Sequence, residues 1–254
     1  MDLQVPAVTI AAVLLAVCRA TGFVLAAPPF NTRMVPGPAK AAVALSLAVV
    51  SLPKVSDGLP APTAGFLVVG ALTEVVIGLA LGFVVQLFFA AVQYASDLLD
   101  VTGGFTLAPA YDPLSMSQSN SIGRLYNLLA TVLLFTSGGA LLVVRGFVTS
   151  YKALPVGGRV PTDQLGHVLV TAFSQMFLAA LQIAGPMVAV LLLADVALAL
   201  LSRAAPTLNV FQLGASTKIL VTLVLLGLTF PLFPAALDNL VTHGVQAMTS
   251  LRSG

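Results

Sequence analysis

A single acidic residue stands inside a long apolar stretch, in step with small and polar neighbours. The residues that recur at intervals of four are Gly70, Glu74, Gly78, Gly82 and Gln86. On a helix this spacing forms one slowly drifting face, and its GxxxG step lets another backbone approach closely. A carboxyl group in such a stripe can serve transport directly, or it can be protonated or paired within ordinary helix packing. The sequence leaves both interpretations open.

Two further acids, Asp97 and Asp100, lie three residues apart just before a pair of glycines. On a helix they share a face near its C-terminal end, where the helix dipole disfavours negative charge, so they need water, a cation or a partner. A metal site requires more converging ligands, and both histidines, His167 and His243, lie far away in the sequence. We expect the two acids to be solvated or paired, with no metal and no other cofactor.

A proline flanked by charges interrupts a later apolar region. Arg203 and Lys218 lie on either side of Pro206, where a helix loses a backbone donor. The two cations can bond the carbonyls freed there, pair with acids such as Asp195, or extend their charged ends to a membrane boundary.

Motifs for enzyme chemistry are missing from the sequence. It has no nucleophile elbow, no paired metal-binding histidines, no phosphate-cradling glycine loop and no Cys-His arrangement. Cys18 is the single cysteine, which rules out an intrachain disulfide. The sequence therefore predicts a protein that is not an enzyme.

The composition indicates what surrounds the chain. The chain has 254 residues, of which 58% are hydrophobic and 8% charged, and its mean hydropathy is +1.04. That is too little polar surface to coat a water-soluble globule, so lipid or apolar protein must cover it. The 11 basic and 9 acidic residues give a net charge of +2 and are scattered singly along the chain. Without a run of basic residues to follow a phosphate backbone, we expect no nucleic-acid partner. We predict an all-α integral membrane protein, residues 1–254 forming one membrane-embedded domain.

Uncharged runs predict about six hydrophobic helical segments, since roughly 20 residues span a bilayer. They are Leu3 to Cys18, Ala41 to Val55 with Lys54 excepted, Val75 to Ser96, Leu125 to Val144, Gln164 to Ala194 and Ile219 to Leu237. Pro53 is expected to cut the second segment short, and Pro186 to kink or break the fifth. Basic residues divide five against five between the two sides of these spans, so the positive-inside rule assigns no orientation.

The connection at residues 103–123 is long and combines small polar residues with large apolar ones. The large side chains in it are Phe105, Leu107, Tyr111 and Met116. A loop of about twenty residues in a compact protein is more often functional than idle.

Over nearly its whole length, and most strongly near the C-terminal end, the sequence resembles the FliR family, known in virulence secretion systems as SctT. The resemblance rests on an R-x-x-P-x-x-N-x-F pattern with a lysine downstream, formed by Arg203, Pro206, Asn209, Phe211 and Lys218. Supporting matches are Arg19 with Pro28 to Pro36, Glu74 with Gly78 and Gly82, and Asp112 with Pro113 in the long loop.

This resemblance implies a gate subunit for flagellar type III protein export in the bacterial inner membrane, at the flagellar basal body. It implies FliP-like and FliQ-like sister subunits, an FlhB-like switch protein and unfolded flagellar substrates, with kinked hairpins that resemble a fusion of the two sister subunits. It also implies that residues 103–123 form a plug that closes the resting pore. The alternatives are a virulence injectisome subunit, a small-solute or ion transporter, and a membrane-embedded enzyme.

Overall fold

The computed structural model describes residues 7–28, 30–32, 35–55, 63–105, 121–157, 162–205 and 210–249. Within these ranges the regular structure is helical, and no strand occurs in them. The helices are α1 (Ala7–Ala26), α2 (Gly37–Val55), α3 (Ala64–Thr102), α4 (Ser121–Thr136), α5 (Gly139–Ala153), α6 (Thr162–Ala204), α7 (Val210–Thr229) and α8 (Phe233–Thr249), with a 3₁₀ turn at Phe230–Leu232. The predicted all-α fold class is confirmed.

Several of these helices suit a bilayer by length and composition. Within the described residues, α1, α2, α3 and the Gly166–Ala204 part of α6 are each long and apolar enough to cross a membrane. Two bent pairs raise the number to six if each pair is one span. The pairs are Ile122–Thr136 with Gly139–Ala153 and Gly214–Thr229 with Phe233–Thr242, each bent by 71°. The predicted number of about six corresponds to this upper count.

The bend between α4 and α5 divides the predicted fourth segment, Leu125 to Val144, into two helices. Gly138 occupies the left-handed region at φ 82°, a conformation that glycine adopts without steric cost. Its carbonyl oxygen then accepts bonds from the N–H groups of Leu141 and Leu142, 3.0 and 3.2 Å away, which start the new helix. Gly138, inside an apolar run, therefore allows the chain to bend between α4 and α5.

Neither proline ends its helix, although Pro53 was expected to cut its segment short and Pro186 to kink or break its own. α2 continues through Pro53 to Val55, and α6 continues through Pro186. In each case the buried stripe extends past the proline: Val55 is 3% exposed, and Met187 and Leu191 are almost fully buried. Ending the helix at the proline would expose these side chains, so packing outweighs the lost backbone hydrogen bond.

α3 and α6 are far longer than the predicted segments. They have 39 and 43 residues, which at about 1.5 Å per residue makes them roughly 60 and 65 Å long. The hydrocarbon core of a bilayer is only about 30 Å thick. These helices exceed ordinary spans, which is consistent with the failure of the positive-inside rule to choose an orientation.

The chain divides into two compact units. Unit 1 comprises Met1–Phe88, Gly138–Ser174 and Leu240–Gly254, and unit 2 comprises Phe89–Ser137 and Gln175–Asn239. Three helices, α3, α6 and α8, each contribute residues to both units. Within unit 1, α2 packs against α1 and against α5.

Candidate functional site

The glycine stripe of α3 lies directly against α1 in unit 1. A methyl group on Gly78 would overlap the carbonyl oxygen of Arg19, and one on Gly82 would lie 2.6 Å from the carbonyl oxygen of Phe23. α1 contributes a glycine of its own, because a methyl group on Gly22 would lie 2.5 Å from the carbonyl oxygen of Val75. Only glycine permits two helix backbones to approach this closely.

The stripe does not extend along its whole predicted length. A methyl group on Gly70 would meet only the flexible end of Leu15, at 3.1 Å. Gln86, predicted to share the buried stripe, is instead exposed. The tight backbone crossing therefore covers Gly78 and Gly82, with Glu74 one helical turn before them.

Glu74 forms an ion pair with Arg19 of α1 at this crossing. The Arg19 Nε donates to Glu74 Oε2, and Nη2 donates to Oε1 at 3.0 Å. The pair is therefore bidentate, the geometry in which arginine and carboxylate interact most strongly. Arg19 is 0% exposed and Glu74 1% exposed, so both charges are withdrawn from lipid and from water.

α5 supplies the remaining partners of the guanidinium. Nη2 also donates to the carbonyl oxygen of Leu154 at 2.8 Å, and Nη1 donates to Ser150 Oγ at 3.3 Å. The Arg19 Cζ atom lies 3.9 Å from the centre of the Tyr151 ring, a cation-π contact. The Tyr151 hydroxyl in turn donates to the carbonyl oxygen of Ala16 at 3.4 Å.

This cluster, which we call the Arg19 cluster (Arg19, Glu74, Ser150, Tyr151 and the Leu154 carbonyl), joins α1, α3 and the end of α5. Four of the five guanidinium N–H donors have an acceptor, so the charge is well satisfied although it is buried. Sequence reasoning singled out Glu74 but did not assign its partner. The available signal was an arginine inside the otherwise uncharged first helix.

The structure places only part of the C-terminal pattern. Arg203 is exposed at the end of α6, and Lys218 of α7 forms an ion pair with Asp195 of α6. Of the three alternatives for Lys218, pairing with Asp195 is the one observed. Pro206 and Asn209 lie outside the described residues, and of Phe211 only the backbone, within α7, is described.

The predicted plug falls almost wholly outside the described part of the chain. Phe105 is described and half-buried, just after the end of α3. The other predicted plug residues, Leu107, Tyr111, Asp112, Pro113 and Met116, lie outside the described residues. Their role stays a prediction.

The two acids near the end of α3 have different environments. Asp97 accepts a hydrogen bond from Gln93 Nε2 at 2.8 Å, and Asn127 of α4 donates in turn to Gln93 Oε1. Asp100 is 4% exposed, and neither of its carboxylate oxygens has a hydrogen-bond partner among the described residues. The expected pairing of Asp100 is therefore not observed within the described residues.

Comparison with known proteins extends over most of the chain. Residues 10–244 match the family described as bacterial export proteins, family 1. The chain is 28% identical over 243 residues to "Flagellar biosynthetic protein FliR" of Bacillus subtilis (strain 168), covering 94% of both chains. It is 31% identical over 229 residues to the protein of the same description from Escherichia coli (strain K12), covering 89% of this chain and 86% of the relative.

A relative of another description is also similar to this chain, over a shorter region. "Yop proteins translocation protein T" of Yersinia pestis is 32% identical over 155 residues, which cover 60% of this chain and 59% of the relative. The similarity to the flagellar relatives is thus the more extensive of the two.

Proposed function

This chain belongs to the bacterial export proteins, family 1, the family of FliR and its SctT counterparts, and we propose that it is a gate subunit of the flagellar type III export apparatus. The observation that carries the proposal is similarity to flagellar relatives along nearly their whole length, in a chain of long apolar helices. It is a multi-pass membrane protein. A gate of this kind would pass unfolded flagellar rod, hook and filament proteins across the inner membrane at the basal body.

The apolar surface left open by the chain supports assembly with sister subunits. Large apolar side chains of α6 are exposed from Val170 to Leu201. This stretch is roughly 45 Å long and the hydrocarbon core of a bilayer only about 30 Å thick, so lipid tails around a helix that runs along the membrane normal cannot cover all of that surface. We propose that FliP-like and FliQ-like subunits cover much of it, with an FlhB-like switch protein bound to the assembled gate.

The Arg19 cluster argues for a conformational role and against a transport role for Glu74. A small-solute or ion transporter would need a buried charge that is free to exchange its partner. Both oxygens of Glu74 are bonded to Arg19. We therefore propose that the chain works by shape, packing and movement, without catalytic residues of its own.

Loss of the gene in the native host tests the proposed function. We expect hook and filament proteins to disappear from the culture medium and to accumulate inside the cell, with export restored by the wild-type gene on a plasmid. Unchanged flagellar export together with lost secretion of virulence effectors would transfer the proposal to an injectisome. If both kinds of export continued unchanged, the gate function would be wrong.

Co-purification tests the proposed partners separately. The tagged chain, extracted in mild detergent from its native host, should bring down FliP-like and FliQ-like proteins in one large complex, which mass spectrometry would identify. Recovery of a lone monomer or homodimer, under conditions that preserve other membrane complexes, would contradict assembly with these subunits and favour the transporter.

We propose further that residues 103–123 plug the resting gate. The support is the family resemblance, the length of the connection, and its mixture of large apolar side chains with small polar ones. Large apolar groups can seal a narrow lumen, and glycine and serine neighbours allow such a segment to withdraw when an unfolded substrate arrives.

Deletion of residues 105–116 is expected to leave the complex assembled but to make the membrane leaky, because the apolar seal is lost. Uptake of small dyes or ions by cells that carry the variant would measure the leak. The matched control replaces the same residues with an equal length of glycine and serine, and it should leak as well because it also lacks large side chains. A tight membrane with the deleted yet assembled gate would contradict the plug.

A further inference from the structure

Asp100 is a buried acid to which no role has yet been assigned. It lies two residues before the end of α3, in unit 2, with 4% of its surface exposed. Neither carboxylate oxygen reaches a hydrogen-bond partner among the described residues. Buried side-chain oxygens almost always have a partner, and each exception in a membrane protein requires an explanation.

The first turn of α4 lies beside Asp100. The backbone N–H groups of Ile122 and Gly123 are near its carboxyl group, but neither oxygen of Asp100 has a hydrogen-bond partner among the described residues. α4 begins at Ser121, so these amides belong to the positive end of a helix dipole. Asp100 thus occupies the junction between the end of α3 and the start of α4.

Among the described residues, no cation forms an ion pair with Asp100. On its own helix, a second acidic residue, Asp97, lies one turn earlier. On α4, Arg124 is exposed. On α7, the Lys218 side chain passes Gly104, within 4 Å of where a methyl group on that glycine would lie, but its ammonium is paired with Asp195.

The balance of these effects favours the neutral acid. The positive end of the α4 dipole favours negative charge at this junction, whereas the negative end of the α3 dipole disfavours it. Helix-end effects are small beside the cost of withdrawing an unpaired carboxylate from water. A proton is the one cation that can neutralise a carboxyl group enclosed this tightly without further ligands.

We propose that Asp100 is a proton-binding site at the junction of α3 and α4. The carboxylic acid keeps its proton while the two helix ends are packed together. When they separate, the O–H bond breaks heterolytically, the proton passes to water, and the carboxylate that remains opposes repacking. Uptake of a proton from water reverses the step, so proton binding and contact between α3 and α4 favour each other.

Two substitutions separate this site from a merely structural carboxyl group. Asp100→Asn has the shape of the protonated acid and carries no charge, so the complex should assemble as the wild type does. Asp97→Asn is the matched control, because it removes a carboxyl group one turn earlier on the same helix. Unlike Asp100, Asp97 accepts a hydrogen bond from Gln93.

Infrared spectroscopy and a chemical probe report the proton directly. The full-length protein, purified in its complex in mild detergent, should show the C=O stretch of a protonated carboxylic acid at neutral pH. That band should shift in D₂O, disappear in Asp100→Asn and persist in Asp97→Asn. Dicyclohexylcarbodiimide, an apolar reagent that adds to protonated carboxyl groups, should leave an N-acylurea on the peptide that contains Asp100.

The infrared band decides the result, since the reagent must also enter a buried site. A band lost only in Asp100→Asn supports the proposal, whether or not the reagent reaches the residue. Absence of that band from wild-type protein, or its loss in Asp97→Asn alone, would overturn it. Neither readout depends on secretion, so this test stands apart from the test of the export function.

Discussion

Replacing Arg19 with leucine is expected to lower the free energy of unfolding by about 3–5 kcal/mol, the typical cost of leaving one partner of a buried ion pair without the other. Glu74 would then be 1% exposed with no guanidinium beside it. In a domain of this size that loss corresponds to a melting temperature lower by roughly 10 °C. Thermal melting of the detergent-solubilised protein, followed by size-exclusion chromatography, would measure it, together with reduced accumulation in the membrane.

Two control variants test whether the loss of stability comes from breaking the ion pair. They separate that cause from the removal of any arginine and from the change in side-chain volume. Arg145→Leu removes an exposed arginine of α5 and should leave the melting temperature nearly unchanged. The double variant Arg19→Leu with Glu74→Leu removes both charges at once and should recover much of the lost stability, since two apolar side chains can replace a buried pair. If Arg19→Leu melted like wild-type protein, the buried pair would contribute nothing to the fold.

We expect the Arg19 cluster to fix helix register as well as to contribute to stability. Its members lie on α1, α3 and α5. They can meet only when each helix has one particular rotation about its axis and one particular position along it. A slip of α1 by one residue would turn Arg19 away from Glu74 by about 100°. Buried ion pairs are weak evidence for stability, but fixing register is among their best-attested roles.

Sequence reasoning found the elements of this site but not their pairing. Spacing alone placed Glu74 in a stripe with Gly78 and Gly82, because helical periodicity is a local property. Arg19 and Glu74 are 55 positions apart, and no local pattern determines which of several isolated charges meet in the fold. Asp100 shows the same limit, since its burial depends on where α4 begins.

The helix boundaries that were wrong share one physical cause. On the basis of local backbone chemistry, Pro53 was expected to end its helix and Pro186 to kink or break its own. Burial of side chains beyond each proline outweighs that preference, and α2 and α6 continue. Gly138 shows the opposite case: hydropathy predicted an unbroken segment, and one residue with positive φ makes a corner. Neither outcome can be read from propensity without the tertiary contacts.

The second large effect is expected where α1 crosses α3, next to the ion pair between Arg19 and Glu74. Gly78→Ala should lower the free energy of unfolding by about 3 kcal/mol, the upper part of the usual range for overpacking. The new methyl group would overlap the carbonyl oxygen of Arg19 and lie 2.9 Å from the amide nitrogen of Phe23. Both obstacles are backbone atoms, so no side-chain rotation can relieve the clash and α1 itself must move.

The expected movement of α1 also couples the helix crossing to the ion pair. Moving α1 away from Gly78 carries the Arg19 backbone with it, so the ion pair to Glu74 should weaken at the same time. Gly78→Ala combined with Arg19→Leu should therefore cost less than the sum of the two single effects, which a double-mutant cycle of melting temperatures would measure. Gly65→Ala is the matched control on the same helix, since a methyl group there would meet nothing within 4 Å, and it should be neutral or slightly stabilising. Full additivity of Gly78→Ala and Arg19→Leu would mean that the close crossing and the ion pair stabilise unit 1 independently.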